Sequence, residues 1–233
     1  MNLKKLQIDG YIDREDKSFN NIKEDNYLYQ MEVASNTLFN IEQEMLQLNN
    51  YCTHSINSSK EESLKAKENF ISYNSGKKKA NLYTSPSLDE KIDENSAEYG
   101  HFLEELETDA NQWEDTFSFI APAMTLVLFH IFVEKSLLDL CKENTLDINV
   151  NPKQKKYENI IVTYINFLQV DCKINFQIDD DIINLLQQCR IIRNKFAHGN
   201  WSEIRKIVSK IDLVDVFYAF TKMLRTFEKE IAK

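Results

Sequence analysis

The scarcity of chain-breaking residues is the feature that most limits the fold of this 233-residue chain. It contains 4 Gly and 3 Pro, very few for a β-rich fold with many tight turns. Glycine and proline are the residues that most strongly punctuate local structure, so their scarcity predicts long helices. With 42% hydrophobic and 28% charged residues, the composition is that of a soluble globular protein that can bury a core.

Apolar residues recur at steps of three and four along much of the chain, which is the spacing of amphipathic helices. Asp179 is well placed to cap a helix that ends near His198. Gly199 then supplies the left-handed conformation that often closes a helix. We predict helices over 27–50, 60–73, 89 or 96 to 108, 115–142, 152–170, 179–198, 202–208 and 213–231.

These elements predict an all-α fold, an up-and-down helical bundle. Turn-forming residues and a run of lysines mark 74–88 as an exposed loop. We expect residues 1–110 to form an N-terminal helical extension of unknown role, and residues 111–233 to form the main bundle.

One segment, 117–133, is almost uncharged and raises the question of a membrane. It falls short of the roughly 20 apolar residues that a spanning helix needs, and it contains Pro122. We therefore interpret it as a central buried helix. The N-terminus has no signal-peptide pattern and the four cysteines have no short spacing, so we expect a cytoplasmic protein with core cysteines.

The formal net charge of −9 is unevenly distributed. Residues 182–233 carry 10 Lys and Arg against 5 Asp and Glu, whereas the rest of the chain carries 18 against 32. A basic C-terminal segment attached to an acidic remainder of the chain suits a local contact with phosphate. Solvated helix faces of different composition would give the same imbalance.

The helix end at 190–199 contains the side chains that are best suited to catalysis. Residues four apart share a helix face, so Arg190, Asn194 and His198 form one ridge. Arg193 lies at the edge of the apolar face of the same helix. Because a buried guanidinium needs a partner, Arg193 must face an acid, a phosphate or a subunit boundary.

These residue types suit metal-free cleavage of an RNA phosphodiester. A histidine, whose ordinary pKa lies near neutral pH, can take the proton of the 2′-hydroxyl. The forked donors of an arginine match phosphate oxygens and remain charged. Asn194 could hold the imidazole in one tautomer or contact the phosphate. Arg190 and Lys195 are candidate substrate-binding residues.

The spacing also presents a difficulty, because residues five apart lie about 140° from each other around a helix. Arg193 and His198 therefore do not share a face. Either the helix unwinds at Gly199, or the two side chains meet across an interface between two copies of the chain.

The string Arg193-Asn194-Lys-Phe-Ala-His198-Gly199, ending a helix in an all-α protein, resembles the motif of the HEPN superfamily. Its members carry an arginine and a histidine separated by four to six residues, often with a polar residue such as Asn after the arginine. The resemblance implies a HEPN-type bundle over 111–233, acting as a homodimer with the motif at the subunit interface. It also implies that Arg193 and His198 are the catalytic pair and that Asn194 accompanies them.

Many proteins of this superfamily look like metal-independent endoribonucleases of toxin–antitoxin, abortive-infection and antiviral defence systems. The resemblance thus implies an RNA substrate, 2′-hydroxyl attack at a composite dimer site, and an antitoxin or defence-system partner protein. The alternative is a non-catalytic HEPN-like dimerisation or scaffold module of such a complex. The first hundred residues match no family that we recognise.

Other titratable residues add little to this interpretation. His130, inside the apolar helix, is expected to be a core histidine, and His54 and His101 surface residues. Glu134 either pairs with Arg193 or is a plain exposed carboxylate. No His and Cys residues cluster at ligand spacing, and no glycine-rich phosphate loop is present, so we expect neither a metal nor a cofactor.

Overall fold

The computed structural model describes Leu6 and residues 27–75, 97–145 and 159–233. All regular elements within these ranges are helical, which confirms the all-α prediction. The helices are α1 Asn36–Asn74, α2 Ala97–Asp115, α3 Ala121–Glu143, α4 Ile160–Val170, α5 Asp180–Ala197, α6 Trp201–Val208 and α7 Leu213–Ile231, and a π-helical turn, Thr116–Ile120, precedes α3.

The chain divides into two compact units. One combines residues up to Thr53 with residues from Pro122 onward, and the other spans His54–Ala121. This division differs from the boundary expected at residue 110. Residues 27–53 belong to the same unit as the C-terminal helices because the first half of α1 contributes buried side chains such as Leu38 and Met45.

Phenylalanine rings hold α3 against α7 in the first unit. The ring centroid of Phe129 lies 4.7 Å from that of Phe217 and 6.1 Å from that of Phe220, and Phe132 lies 5.6 Å from Phe220. Such pairs contribute about 0.5–1.5 kcal/mol each beyond the burial of their area. Helices α4 and α5 add the buried residues Ile161, Ile165, Leu168, Leu186, Cys189 and Ile192.

The start of α1 differs from the prediction. The helix was expected to begin at Tyr27 but begins at Asn36, because the Ser35 hydroxyl caps it by accepting a hydrogen bond from the Leu38 amide at 3.1 Å. The segment before Ser35 crosses the first unit without being helical.

The predicted breaks at 50–60 and 108–115 were also wrong. Helix α1 continues to Asn74, and α2 continues into the π-helical turn. The residues at both places are polar but include no glycine or proline, so nothing in the backbone stops the helix. Pro122 lacks an amide hydrogen for the regular helical bond, and the π-helical turn lies just before it.

The C-terminal helices follow the prediction closely. Helix α7 has the predicted extent, α5 is one residue shorter than predicted at each end, and α6 starts one residue before the predicted Ser202. Asp179 precedes α5, but its side chain makes no capping hydrogen bond. The predicted start of the preceding helix at Pro152 and most of the predicted loop at 74–88 lie outside the described residues.

The buried carboxylate of Glu228 on α7 anchors the segment before α1. It is 4% exposed and accepts hydrogen bonds from the amides of Glu32 at 2.5 Å and Val33 at 2.6 Å. Burial and the charge of Glu228 together raise the pKa of the neighbouring Tyr29 hydroxyl. A charged acceptor thus satisfies two backbone donors that would otherwise lose water without compensation.

We expect Glu228→Ala to lower the free energy of unfolding by about 2 kcal/mol, because both amides lose their acceptor. Chemical denaturation followed by circular dichroism measures the change. Glu230→Ala, which removes a carboxylate paired with Lys233 near the C-terminus, is the matched control and should cost less than about 0.5 kcal/mol. Equal stabilities for the two variants would contradict the anchoring role.

One helical stretch, Tyr99–Glu143, is long and apolar enough by composition to cross a membrane. Of its most apolar window, 61% is buried inside the protein. The core helix of a globular protein passes the same test, and Leu126 and Val133 of α3 are completely buried. This burial agrees with the interpretation of 117–133 as a central helix.

All four cysteines are free. Cys52, Cys141 and Cys189 are buried and Cys172 is half-buried, so the prediction of core cysteines holds for three of them. Burial raises the pKa of each thiol, to about 12 for Cys141 and Cys189. Buried thiols of this kind are poor nucleophiles.

Candidate functional site

An ion pair between α3 and α5 lies at the centre of the candidate site. Nη2 of Arg193 donates to both carboxylate oxygens of Glu134, at 3.0 and 3.2 Å. The Arg193 side chain is 37% exposed and that of Glu134 is 24% exposed. The sequence left two possibilities open for Glu134, and the structure shows the pairing with Arg193.

His130 lies one turn before Glu134 on α3 and is fully buried behind this ion pair. Its Nε2 is 3.3 Å from a Glu134 oxygen and 3.5 Å from Nη2 of Arg193. Its buried Nδ1 has no hydrogen-bond partner among the residues that the structure describes. A tautomer with the proton on Nε2 donates to Glu134, so His130 is a core histidine that supports the carboxylate.

Burial alone would raise the pKa of the Glu134 carboxyl, but His130 and Arg193 together hold that pKa below its usual value. The carboxylate is therefore ionised at neutral pH. It keeps Arg193 at the edge of the core with a fixed counter-charge.

A surface cleft of about 470 Å³ opens beside the ion pair. We call it the α3–α5 cleft. Its lining residues are Ile131, Glu134, Lys135, Leu138, Ile160, Tyr164, Arg190, Arg193 and Asn194. Three of the five residues predicted for the site, Arg190, Arg193 and Asn194, thus lie together.

His198 is not among the residues that line this cleft. It follows the last residue of α5 and is exposed, and its amide bonds back to the carbonyls of Asn194 and Lys195 at 3.2 Å. No hydrogen bond or ion pair joins its imidazole to Arg193 in the described part of the chain. Helix α5 is regular up to Ala197, so it does not unwind to bring the two side chains together.

Gly199 ends α5 as predicted, with φ at +69°. Its amide bonds to the carbonyl of Phe196 at 3.1 Å, and the Asn200 amide bonds to that of Lys195 at 3.0 Å. This pair of bonds is the Schellman motif, in which the left-handed residue is usually glycine. The motif fixes the backbone that presents His198 to solvent.

We expect Gly199→Ala to destabilise the protein by about 1 kcal/mol, because the left-handed conformation strains a residue with a Cβ. The nearest atom to that Cβ would be Nε1 of Trp201 at 3.8 Å, so crowding would not contribute. Gly100→Ala within α2 is the matched control. No atom lies within 4 Å of its added Cβ, and helix propensity predicts a slight gain in stability. Thermal melts that rank the two variants in the opposite order would contradict this assignment.

Lys195 was predicted to bind substrate, but the structure places it outside the cleft. Its ammonium pairs with the carboxylate of Glu203 in the first turn of α6. This pairing lowers the pKa of Glu203. Helical spacing could not reveal the pair, because it depends on where α6 returns after Gly199.

Two aromatic residues, Tyr164 and Trp201, lie near the candidate site. Tyr164 of α4 lines the α3–α5 cleft, although its position in a strongly apolar helix gave no functional signal. Trp201 is 44% exposed and packs edge-on against Phe196 at a centroid distance of 4.9 Å.

Among the described residues, no three His, Cys, Asp or Glu side chains come together as a metal site would require. No family model, no curated protein and no solved structure matches this chain.

Proposed function

We propose that this protein is a metal-independent endoribonuclease of the HEPN type, acting on RNA as a toxin or antiviral defence effector. The observation that carries the proposal is the setting of Arg193. The guanidinium is fixed by Glu134 through Nη2, yet it lines an open cleft, and its Nη1 has no hydrogen-bond partner among the described residues. An oriented, partly free guanidinium is suited to a phosphate.

The reaction would proceed by attack of the ribose 2′-hydroxyl on the adjacent phosphorus. The imidazole of His198 takes the 2′-hydroxyl proton as the new O–P bond forms. Arg193 stabilises the negative charge that gathers on the phosphate oxygens. The bond to the 5′ oxygen then breaks, that oxygen takes a proton from water, and the hydroxide left behind takes the proton from the imidazolium of His198. The products carry a 2′,3′-cyclic phosphate and a 5′-hydroxyl.

This chemistry requires a homodimer, because His198 of one chain lies outside the cleft that contains its own Arg193. We propose that His198 of a second copy approaches the α3–α5 cleft of the first. A two-fold interface would repeat the arrangement and create two equivalent composite sites. Asn194, on the cleft side of α5, would contact the scissile phosphate or the approaching imidazole.

The test is incubation of the purified protein with total RNA and with a synthetic single-stranded RNA, in EDTA and in Mg²⁺. We expect discrete cleavage in both conditions. Polynucleotide kinase should label the new 5′ ends without prior phosphatase treatment, since they carry hydroxyl groups. RNA that stays intact in both conditions would contradict the proposal.

One observation favours a second candidate, a non-catalytic dimerisation or scaffold module. Within one chain Arg193 already has a carboxylate partner, and His198 does not reach it. A protein that dimerises in analytical ultracentrifugation but leaves every RNA intact would support the scaffold function.

A further inference from the structure

Arg190 is a half-buried cation of the α3–α5 cleft that forms no ion pair with any described residue. The other two cations that line the cleft are already paired, Arg193 with Glu134 and Lys135 with Glu44. Leaving a half-buried guanidinium without a counter-charge is costly. The arrangement therefore leaves one positive charge open to an anionic ligand.

Two uncharged donors line the same cleft as this cation. Asn194 lies one turn after Arg190 on the same face of α5, and its amide makes no hydrogen bond within the described residues. Tyr164 is 7% exposed and lines the cleft, and its hydroxyl has no described hydrogen-bond partner. Burial and the nearby Glu134 raise the pKa of this hydroxyl, so it stays protonated and can donate. Three kinds of donor thus line one cleft.

The carboxylate in the cleft does not oppose an anion. Glu134 accepts hydrogen bonds from Arg193 and lies within 3.3 Å of Nε2 of His130. The negative charge of Glu134 is therefore already compensated by Arg193 and His130. The excess charge around Arg190 remains positive.

The lining of the cleft also includes three aliphatic side chains, those of Ile131, Leu138 and Ile160. Ile131 is 51% exposed, so its side chain is accessible to a ligand in the cleft. The volume of about 470 Å³ falls in the range of small-ligand sites, about 300–1,000 Å³. A nucleotide offers an anionic phosphate that suits Arg190 and a largely apolar base face that suits these aliphatic side chains.

We propose that the α3–α5 cleft of a single subunit holds one unpaired nucleotide of the RNA strand, next to the bond that is cleaved. Its phosphate would contact Arg190 and Asn194, and its base would lie against Ile131. This inference rests on the proposed function and adds the position within one subunit at which the RNA strand is bound. A base that is paired in a duplex cannot enter such a cleft without leaving its partner.

Fluorescence anisotropy with a labelled single-stranded 8-mer of 2′-O-methyl RNA tests the proposal, because this probe cannot be cleaved by 2′-hydroxyl attack. We expect Arg190→Gln to weaken binding about tenfold or more, as the loss of a charge-assisted hydrogen bond predicts. Ile131→Ser, at an exposed position where folding is not at risk, should weaken it several-fold. Lys210→Gln removes one positive charge from an exposed residue outside the cleft and should leave the affinity nearly unchanged at fixed salt. The same 8-mer annealed to its complement should bind more weakly.

The proposal is overturned if Arg190→Gln and Lys210→Gln bind alike, if the duplex binds as tightly as the single strand, or if the wild-type protein does not bind the probe. Its failure is separable from failure of the nuclease proposal. Binding that depends on Arg190, without cleavage of unmodified RNA, supports the cleft and refutes the nuclease. Cleavage of unmodified RNA, with binding that does not depend on Arg190, supports the nuclease and refutes the nucleotide site in the cleft.

Discussion

His198→Ala should reduce the rate of RNA cleavage by about 10²–10⁴-fold, which is the usual contribution of a general base. The imidazole is exposed and makes no hydrogen bond or ion pair with a described residue, so its removal should leave the fold intact. We expect the melting temperature to change by less than about 2 °C. Single-turnover kinetics on a labelled RNA measures the change in rate.

The matched control is His54→Ala, which removes an equally exposed histidine from the middle of α1. It should cleave at the wild-type rate. If His198→Ala also cleaves at the wild-type rate, His198 is not the base, and its place at the end of α5 is structural.

Arg193→Met should reduce the rate of RNA cleavage by about 10²–10³-fold, because the charge that stabilises the transition state is lost. Unlike the histidine variant, it should also destabilise the fold. Glu134 is 24% exposed and would lose its partner, at a cost of about 1–2 kcal/mol. Kinetics and chemical denaturation on the same preparation measure the two effects.

A second substitution separates these effects. In Arg193→Met with Glu134→Gln, no unpaired carboxylate remains, and the amide oxygen of the glutamine can still accept from His130. We expect stability close to wild type and activity still lost. Recovery of cleavage in the double variant would show that Arg193 acts only through the fold.

The bounds of α5 and α7 could be predicted because local residues specify where these helices begin or end. Asp212 caps α7 by accepting from the Val214 amide at 2.9 Å, and Gly199 closes α5 with its left-handed conformation. Both signals are read from neighbouring residues. At 50–60 and 108–115 the polarity of the sequence suggested a break, yet a helix is compatible with polar residues when it contains no glycine or proline.

The side-chain contacts of the site were less accessible from the sequence. Helical spacing placed Arg190 and Asn194 on one face, and both line the cleft. Spacing within one helix says nothing about the neighbouring helices, so it could not choose between a paired and an exposed Glu134. For the same reason Lys195 was assigned to substrate although it pairs with Glu203.

The separation of Arg193 and His198 follows from helix geometry. Five residues correspond to about 500° of rotation, or about 140° beyond a full turn. Arg193 is therefore directed towards α3, while His198 emerges at the exposed end of α5. A regular helix cannot bring both to one phosphate, which is why the proposed chemistry needs two subunits.

Subunit mixing tests this requirement most directly. Arg193→Met and His198→Ala are each expected to be nearly inactive as homodimers, but a heterodimer of the two contains one composite site with both wild-type residues. Equal mixing with free subunit exchange gives about half heterodimers, each with one of two sites intact, so we expect about a quarter of the wild-type activity. A mixture that remains as inactive as its components, with heterodimers demonstrated by differently tagged subunits, would contradict the composite site.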